Sequence, residues 1–305
     1  MIDGDPLPWP PEIPWPAAPD DALWSHHGSN IVLDFHGDPA QAALTVLSDG
    51  NHHMALEETL REFARAHSDA GGIFYLTLPP PLLLQIVTHG AVRLGNLRLQ
   101  MKPHVLISPP GLFDALAQSG RTIEHAPFMR SRGNVLLVHK GNPKSIRDIS
   151  ALCRDDVRLF ISNPRTEAAS HDVYRETLLR LGTARNMDVA SMARRLDGTN
   201  GRVLHGRAIH HREAPQALAS GRADAAILYY HLALRYTRVF LDEFEIVALD
   251  GGAAQPEASP WNVISQFHAG VVGDGGAWGG KLLQHLMSRR VTDIYHRHGL
   301  LRPDE

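Results

Sequence analysis

Only one cysteine, Cys153, stands among the 305 residues, which excludes an intramolecular disulfide and any multi-cysteine zinc or iron–sulfur centre. With no base or helix start close to it in sequence, Cys153 reads as a small, partly buried apolar residue rather than a reactive thiol. No apolar run reaches the roughly 18 residues that a membrane-spanning helix needs. Dense Lys/Arg patches are also lacking and the net charge is −3 with histidine neutral, so nucleic acid is not an expected partner. There is no G-x-S-x-G elbow, Walker loop or H-E-x-x-H, and nothing marks a nucleophile. From Met1 to Trp24 the basic and apolar regions of a secretion signal are missing, and the expected location is cytoplasmic.

What is present is a soluble, globular composition, 43% hydrophobic and 21% charged, with 19 histidines that add positive charge as pH falls. Residues 1–42 form a Pro/Trp-rich arm. Pro6, Pro8, Pro10, Pro11, Pro14, Pro16 and Pro19 rule out regular helix there, and Trp9, Trp15 and Trp24 would pack the arm on the outside of its own domain.

From residue 43 short apolar runs alternate with helical periodicity, the pattern of an α/β protein with mainly parallel sheets flanked by helices. The expected strands are Ala43–Ser48, Ile73–Thr77, His104–Ser108, Val135–His139, Val157–Ser162, Ala225–Tyr230 and Glu245–Leu249. Leu56, Leu60, Phe63 and Ala64 mark one helical stripe; Tyr174, Leu178 and Leu181 mark another, with Gly182 as its stop. Leu282, Leu283, Leu286, Met287 and Ile294 outline one long C-terminal helix. Gly270–Gly275 reads as a loop near it.

Three strand-to-helix junctions carry histidine beside small polar residues: Asp49-Gly50-Asn51-His52-His53, Ser170-His171-Asp172 and His210-His211-Arg212-Glu213. Free backbone N–H groups and a positive dipole end make such junctions natural anion sites.

Several strings in correct order resemble the type II periplasmic solute-binding proteins, most closely those for molybdate and tungstate. Leu44-Thr45-Val46-Leu47-Ser48 with the following helix is similar to that family's first strand and ligand loop. Gly141-Asn142-Pro143 is similar to its lobe crossing, Asn163-Pro164 with Tyr174 to its second-lobe loop, and Gly221-Arg222-Ala223-Asp224-Ala225-Ala226-Ile227-Leu228-Tyr229 to a late strand. The resemblance implies two lobes joined by a hinge near residues 125–134, with residues 43–125 plus 240–305 in lobe I and 126–239 in lobe II. It places Asn51 where the family carries a ligand serine, Thr77 at the second hydroxyl position, a backbone contact near His211, and Tyr229 at the family tyrosine, followed by Tyr230 and His231.

Three functions remain open at this stage. Neutral donors around Asp49, Gly50, Asn51, Thr77, Ser170 and Tyr229, with Tyr230 and histidines 52, 53, 171, 210 and 211, would hold a small oxyanion for delivery to an acceptor protein or for sensing, with no cofactor required. Alternatively His52, His53, His171, His211, His231 and Asp49 would converge on a divalent metal such as Zn²⁺ or Ni²⁺, as in a metallochaperone or metal sensor. An enzyme acting on a small anionic substrate, with acid–base pairs such as His52 and Asp49, is the third.

Overall fold

Leu44–Ser48 is buried at every position, as is Val105–Ser108; unbroken apolar strands of this kind form only where helices cover both faces of a sheet. The computed structural model describes residues 22–23, 34–94, 97–198, 201–207, 209–249, 256 and 258–305. The tryptophans and prolines of the N-terminal arm, His26-His27 and Gly251-Gly252 lie outside the described residues.

In chain order the first elements are β1 (Ala22–Leu23), β2 (Asp34–His36), β3 (Leu44–Ser48), α1 (His53–Ala66), β4 (Ile73–Thr77), α2 (Pro80–His89), β5 (Ala91–Leu94), β6 (Leu97–Gln100), β7 (Val105–Ser108), α3 (Pro110–Gln118) and β8 (His125–Arg130). Next come β9 (Asn134–His139), β10 (Leu159–Ile161), α4 (Ala168–Ala184), α5 (Val189–Leu196), β11 (Val203–His205), α6 (His210–Ala219), β12 (Ala225–Tyr229), α7 (Tyr230–Val239) and β13 (Phe244–Ala248). The chain then returns through β14 (Gln266–Val271), α8 (Gly279–Leu286) and α9 (Arg289–Arg297).

The first lobe is built on a sheet of order β2-β4-β3-β7-β14-β8, the second on β11-β10-β12-β9-β13, and β1-β5-β6 form a small separate sheet. Within the lobes β3 runs parallel to β4 and β7, and β10 runs parallel to β11 and β12. Each large sheet is covered on both sides: Val46 and Ile107 face a core with Phe63, Leu282 and Tyr295, while Leu47 and Leu106 face one with Ile86 and Phe113. In the second lobe Leu136 and Ile227 pack with Tyr174 and Leu178, and Val135 and Leu228 with Ala214 and Phe244.

All seven expected strands are present, Ile73–Thr77 with its expected bounds and the others with ends shifted by at most two residues. Five other expectations change. The lobe boundaries move, because β8 pairs with β14 in the first sheet and β13 pairs with β9 in the second; residues 126–130 therefore belong to lobe I and 244–248 to lobe II. The long C-terminal helix is two helices, since the Ser288 side chain accepts from the backbone N–H of Val291 and starts α9 afresh. Gly182 lies inside α4 against Met192, and the stop comes at Asn186, in the left-handed region at φ 54°. Gly270 and Val271 belong to β14, not to a loop, and Cys153 is exposed.

The crossings between lobes lie side by side. Asn134 N–H donates to Asn262 Oδ1 at 2.8 Å, Asn262 Nδ2 returns a bond to the Asn134 carbonyl at 2.9 Å, and Ser131 N–H donates to the Ser265 carbonyl at 2.8 Å. Gly133, at φ 79°, fits between them because a Cβ there would lie 2.8 Å from the Asn262 side chain.

Candidate functional site

Parallel strands deliver their C-terminal ends to one edge of each sheet, and helices that follow start there, so the junctions of both lobes gather between them. On the first lobe Ser48 and Thr77 are register partners at the ends of β3 and β4. Asp49 follows, buried, its carboxylate accepting from the Asn51 N–H at 2.7 Å; burial pushes its pKa up to about 6, against the opposing Asn51 bond. Gly50 sits over Thr77, and its carbonyl accepts from, or faces, the His53 ring Nδ1 at 2.9 Å.

On the second lobe Glu167 at the start of α4 places its carboxylate 2.9 Å from the N–H of His210, the first residue of α6. Burial, with the neighbouring Glu213 charge adding to it, raises the Glu167 pKa to about 7 despite that bond. Both lobes thus use a carboxylate of their own to cap a helix start. Ser170 Oγ bonds Ser162 Oγ at 2.9 Å and stays within its lobe. Tyr229 is buried, with its ring stacked on His231 at 5.5 Å and its hydroxyl accepting from Ser265 at 3.3 Å. Burial raises the Tyr229 pKa, and the charges of Asp49 and Glu167, one from each lobe, push it further up.

The histidines divide sharply. His52 is fully buried, bonded to Ser48 Oγ at 3.1 Å and to the Tyr295 hydroxyl at 2.9 Å; burial lowers its pKa to about 3. It packs as a core residue beside Phe267, with both ring nitrogens already bonded inside the first lobe. His210 is likewise internal, stacked on Phe160 at 5.1 Å with its pKa lowered to about 3 by burial. His171 faces Asp172 and His205 inside lobe II. Tyr230 lies under the Arg132 guanidinium and against Gly299.

His53, His211 and His231 meet across the lobes. The rings of His53 and His211 stack 6.2 Å apart, and Arg235 of α7 bonds His53 Nε2. His231 is almost fully buried, and neither ring nitrogen makes a hydrogen bond of good geometry; His211 Nε2 and Ser108 Oγ are buried without a partner as well. Burial, with His53 and other nearby cationic groups adding to it, holds His211 well below the ordinary histidine pKa; burial lowers His231 to about 3. The expected metal set is not assembled: among the described residues no group of three or more His, Cys, Asp or Glu side chains is placed to hold a metal ion.

Glu167, Ser108 and Arg235 were not expected. A signal existed for Ser108, which ends an apolar strand just before Pro109-Pro110-Gly111, a fourth strand-to-helix junction with proline at the helix start. Elsewhere, a groove of about 760 Å³ runs between α1 and α9 past Glu57, Arg61, Arg290 and Arg297, and most of its charges are matched in the pairs Arg61–Glu57, Arg290–Glu62 and Arg297–Glu58. No helix among the described residues is long and apolar enough to cross a membrane.

Residues 44–301 match the family model described as bacterial extracellular solute-binding protein. No curated protein sequence matches the chain. Among solved structures it is similar to the periplasmic molybdate-binding protein of Azotobacter vinelandii, with 15% identity, a TM-score of 0.54 and coverage of 85% of this chain and 99% of that one. It is also similar to the sulfate-binding protein SubI of Mycobacterium tuberculosis, with 15% identity, a TM-score of 0.61 and coverage of 86% and 87%. The ferric binding protein of Campylobacter jejuni gives 10% identity, a TM-score of 0.56 and coverage of 84% of both chains. At these identities the likeness speaks for the two-lobed fold.

Proposed function

Because the chain belongs to the bacterial extracellular solute-binding protein family, we propose that it captures a small oxyanion, of the molybdate, tungstate or sulfate kind, between its lobes and releases it without chemistry. The observation that carries this reading is the set of buried polar atoms without a hydrogen bond of good geometry at the junctions: Ser108 Oγ on one lobe, His211 Nε2 and the His231 ring on the other, with the Asn51 backbone of the first lobe acting on His231. An unpartnered buried polar group costs about 1–3 kcal/mol, and a solute rich in acceptor oxygens would take the Ser108 hydroxyl proton and the one N–H that each neutral imidazole carries. Neutral donors suffice for such an anion, with Arg235 at the margin supplying positive charge. Asn51 and Thr77 would contribute from the first lobe.

Asp49 and Glu167 set the terms. Each occupies the helix-start N–H that an anion would otherwise take, and as carboxylates they would repel it. With pKa values raised to about 6 and about 7, both are neutralised by modest acidification, so oxyanion capture would take up protons and strengthen as pH falls from 8 to 6.

Isothermal titration with molybdate, tungstate and sulfate over that range tests the reading. Asp49→Asn and Glu167→Gln keep an acceptor oxygen but remove the charge; they are expected to tighten binding at pH 8 several-fold and flatten the pH profile. Affinity that rises with pH, and is lost in both variants, would instead mark a divalent cation such as Zn²⁺ or Ni²⁺. Where the protein works in the cell is tested by fractionation: recovery with cytosolic markers supports the cytoplasmic setting, and release with the periplasm sinks it.

A further inference from the structure

We propose that the outer edge of the first sheet carries a second binding site, for a divalent transition-metal ion, formed by His125 of β8 and His268 of β14. Their Nδ1 atoms lie 2.7 Å apart, close enough that one proton is shared between two imidazoles. Both rings are accessible: His125 is exposed and His268 partly so. The site stands apart from the cleft reading and does not depend on it.

Three features hold the pair in place. His125 stacks on Phe113, with ring centroids 4.2 Å apart and planes 19° from parallel, which leaves its Nδ1 edge free toward β14. Its register partner is Gly270, where a Cβ would lie 2.5 Å from the Glu124 carbonyl oxygen and 3.1 Å from the His125 Cβ; the missing side chain lets the edge strand approach. The register shift between Phe267 and His268 re-aims the His268 side chain. Burial, with His125 adding to it, lowers the His268 pKa against the opposing charge of Asp114.

Two imidazole nitrogens bound tetrahedrally at about 2.0–2.1 Å from a metal sit roughly 3.3 Å apart. The observed pair reaches that separation by a small opening of accessible rings, with water completing the coordination. Imidazole donors select borderline ions, Cu²⁺ above Ni²⁺ and Zn²⁺, over Mg²⁺ and Ca²⁺.

The test uses the full chain without an affinity tag, stripped with chelator, titrated with Cu²⁺ by calorimetry and examined by electron paramagnetic resonance. One ion per chain with a two-nitrogen hyperfine pattern is expected, and His125→Ala or His268→Ala should each weaken binding at least tenfold while circular dichroism stays unchanged. His53→Ala/His211→Ala, in the cleft, should keep that ion. No saturable Cu²⁺ binding by the unaltered chain, binding indifferent to both edge substitutions, or loss confined to the cleft variant would overturn the proposal. Should an alanine variant not fold, His268→Gln, which keeps a polar side chain of similar size, takes its place with the same expected loss.

Discussion

His52 and His231 both stand at helix starts and both are buried, yet one is bonded through each ring nitrogen and the other makes no bond of good geometry, the Asn51 backbone of the opposite lobe acting on its ring. His52 spends its hydrogen-bonding capacity on Ser48 and Tyr295 within the first lobe, and so serves stability. His231 makes no hydrogen bond of good geometry at the meeting of the lobes, and under the proposed function its ring serves the solute. The same residue type in the same local setting is therefore assigned opposite work by the partners that tertiary packing brings to it.

Substitution breaks this comparison most directly. His52→Ala removes a fully buried side chain and both bonds, and should cost about 3 kcal/mol in urea unfolding; a loss under about 1 kcal/mol would contradict a structural role. His231→Leu removes two unsatisfied nitrogens and should leave stability unchanged or raise it by about 1 kcal/mol, while weakening oxyanion binding at least tenfold. A variant that is destabilised and binds normally would reverse the assignment.

Acid sharpens it next. The folded pKa of His52, His210 and His231 is lowered to about 3, so below the ordinary histidine value the unfolded chain takes protons that the folded chain refuses, and stability falls as pH drops from about 6.5 toward 3. Asp49 and Glu167 act the other way: their raised pKa values mean that the penalty of the buried carboxylates is relieved as pH falls through about 7 to about 4. More histidines than carboxyls are shifted, so the melting temperature should decline from pH 6.5 to pH 5; a rise would show the carboxyls dominating. The smallest effect belongs to the exposed Arg297–Glu58 pair, where Arg297→Ala should change stability by less than about 1 kcal/mol.

The sheets were legible in the sequence because buried parallel strands are continuous apolar runs, as in Leu44–Ser48 and Ala225–Tyr229. Short or polar strands were not: His125–Arg130 is exposed over half its length and gains its place only by pairing with β14, and Val203–His205 is too short to show a period. Lobe boundaries depend on such pairings, which explains why residues 126–130 and 244–248 were placed on the wrong sides. At the site the junctions were visible, since strand, turn and helix start are local. Which histidine faces the cleft was not, because Tyr295 lies 243 positions from His52. Glu167 was missed for the same reason: its partner, His210, lies 43 positions away.

Gly133 and Asn262 hold the two interlobe crossings in contact at one point. A contact without slack between antiparallel neighbours permits swivelling and resists sliding. The two crossings thus form a narrow hinge, and a pair of fluorophores, one on each lobe, is expected to register opening about it as one distance change rather than a spread of them.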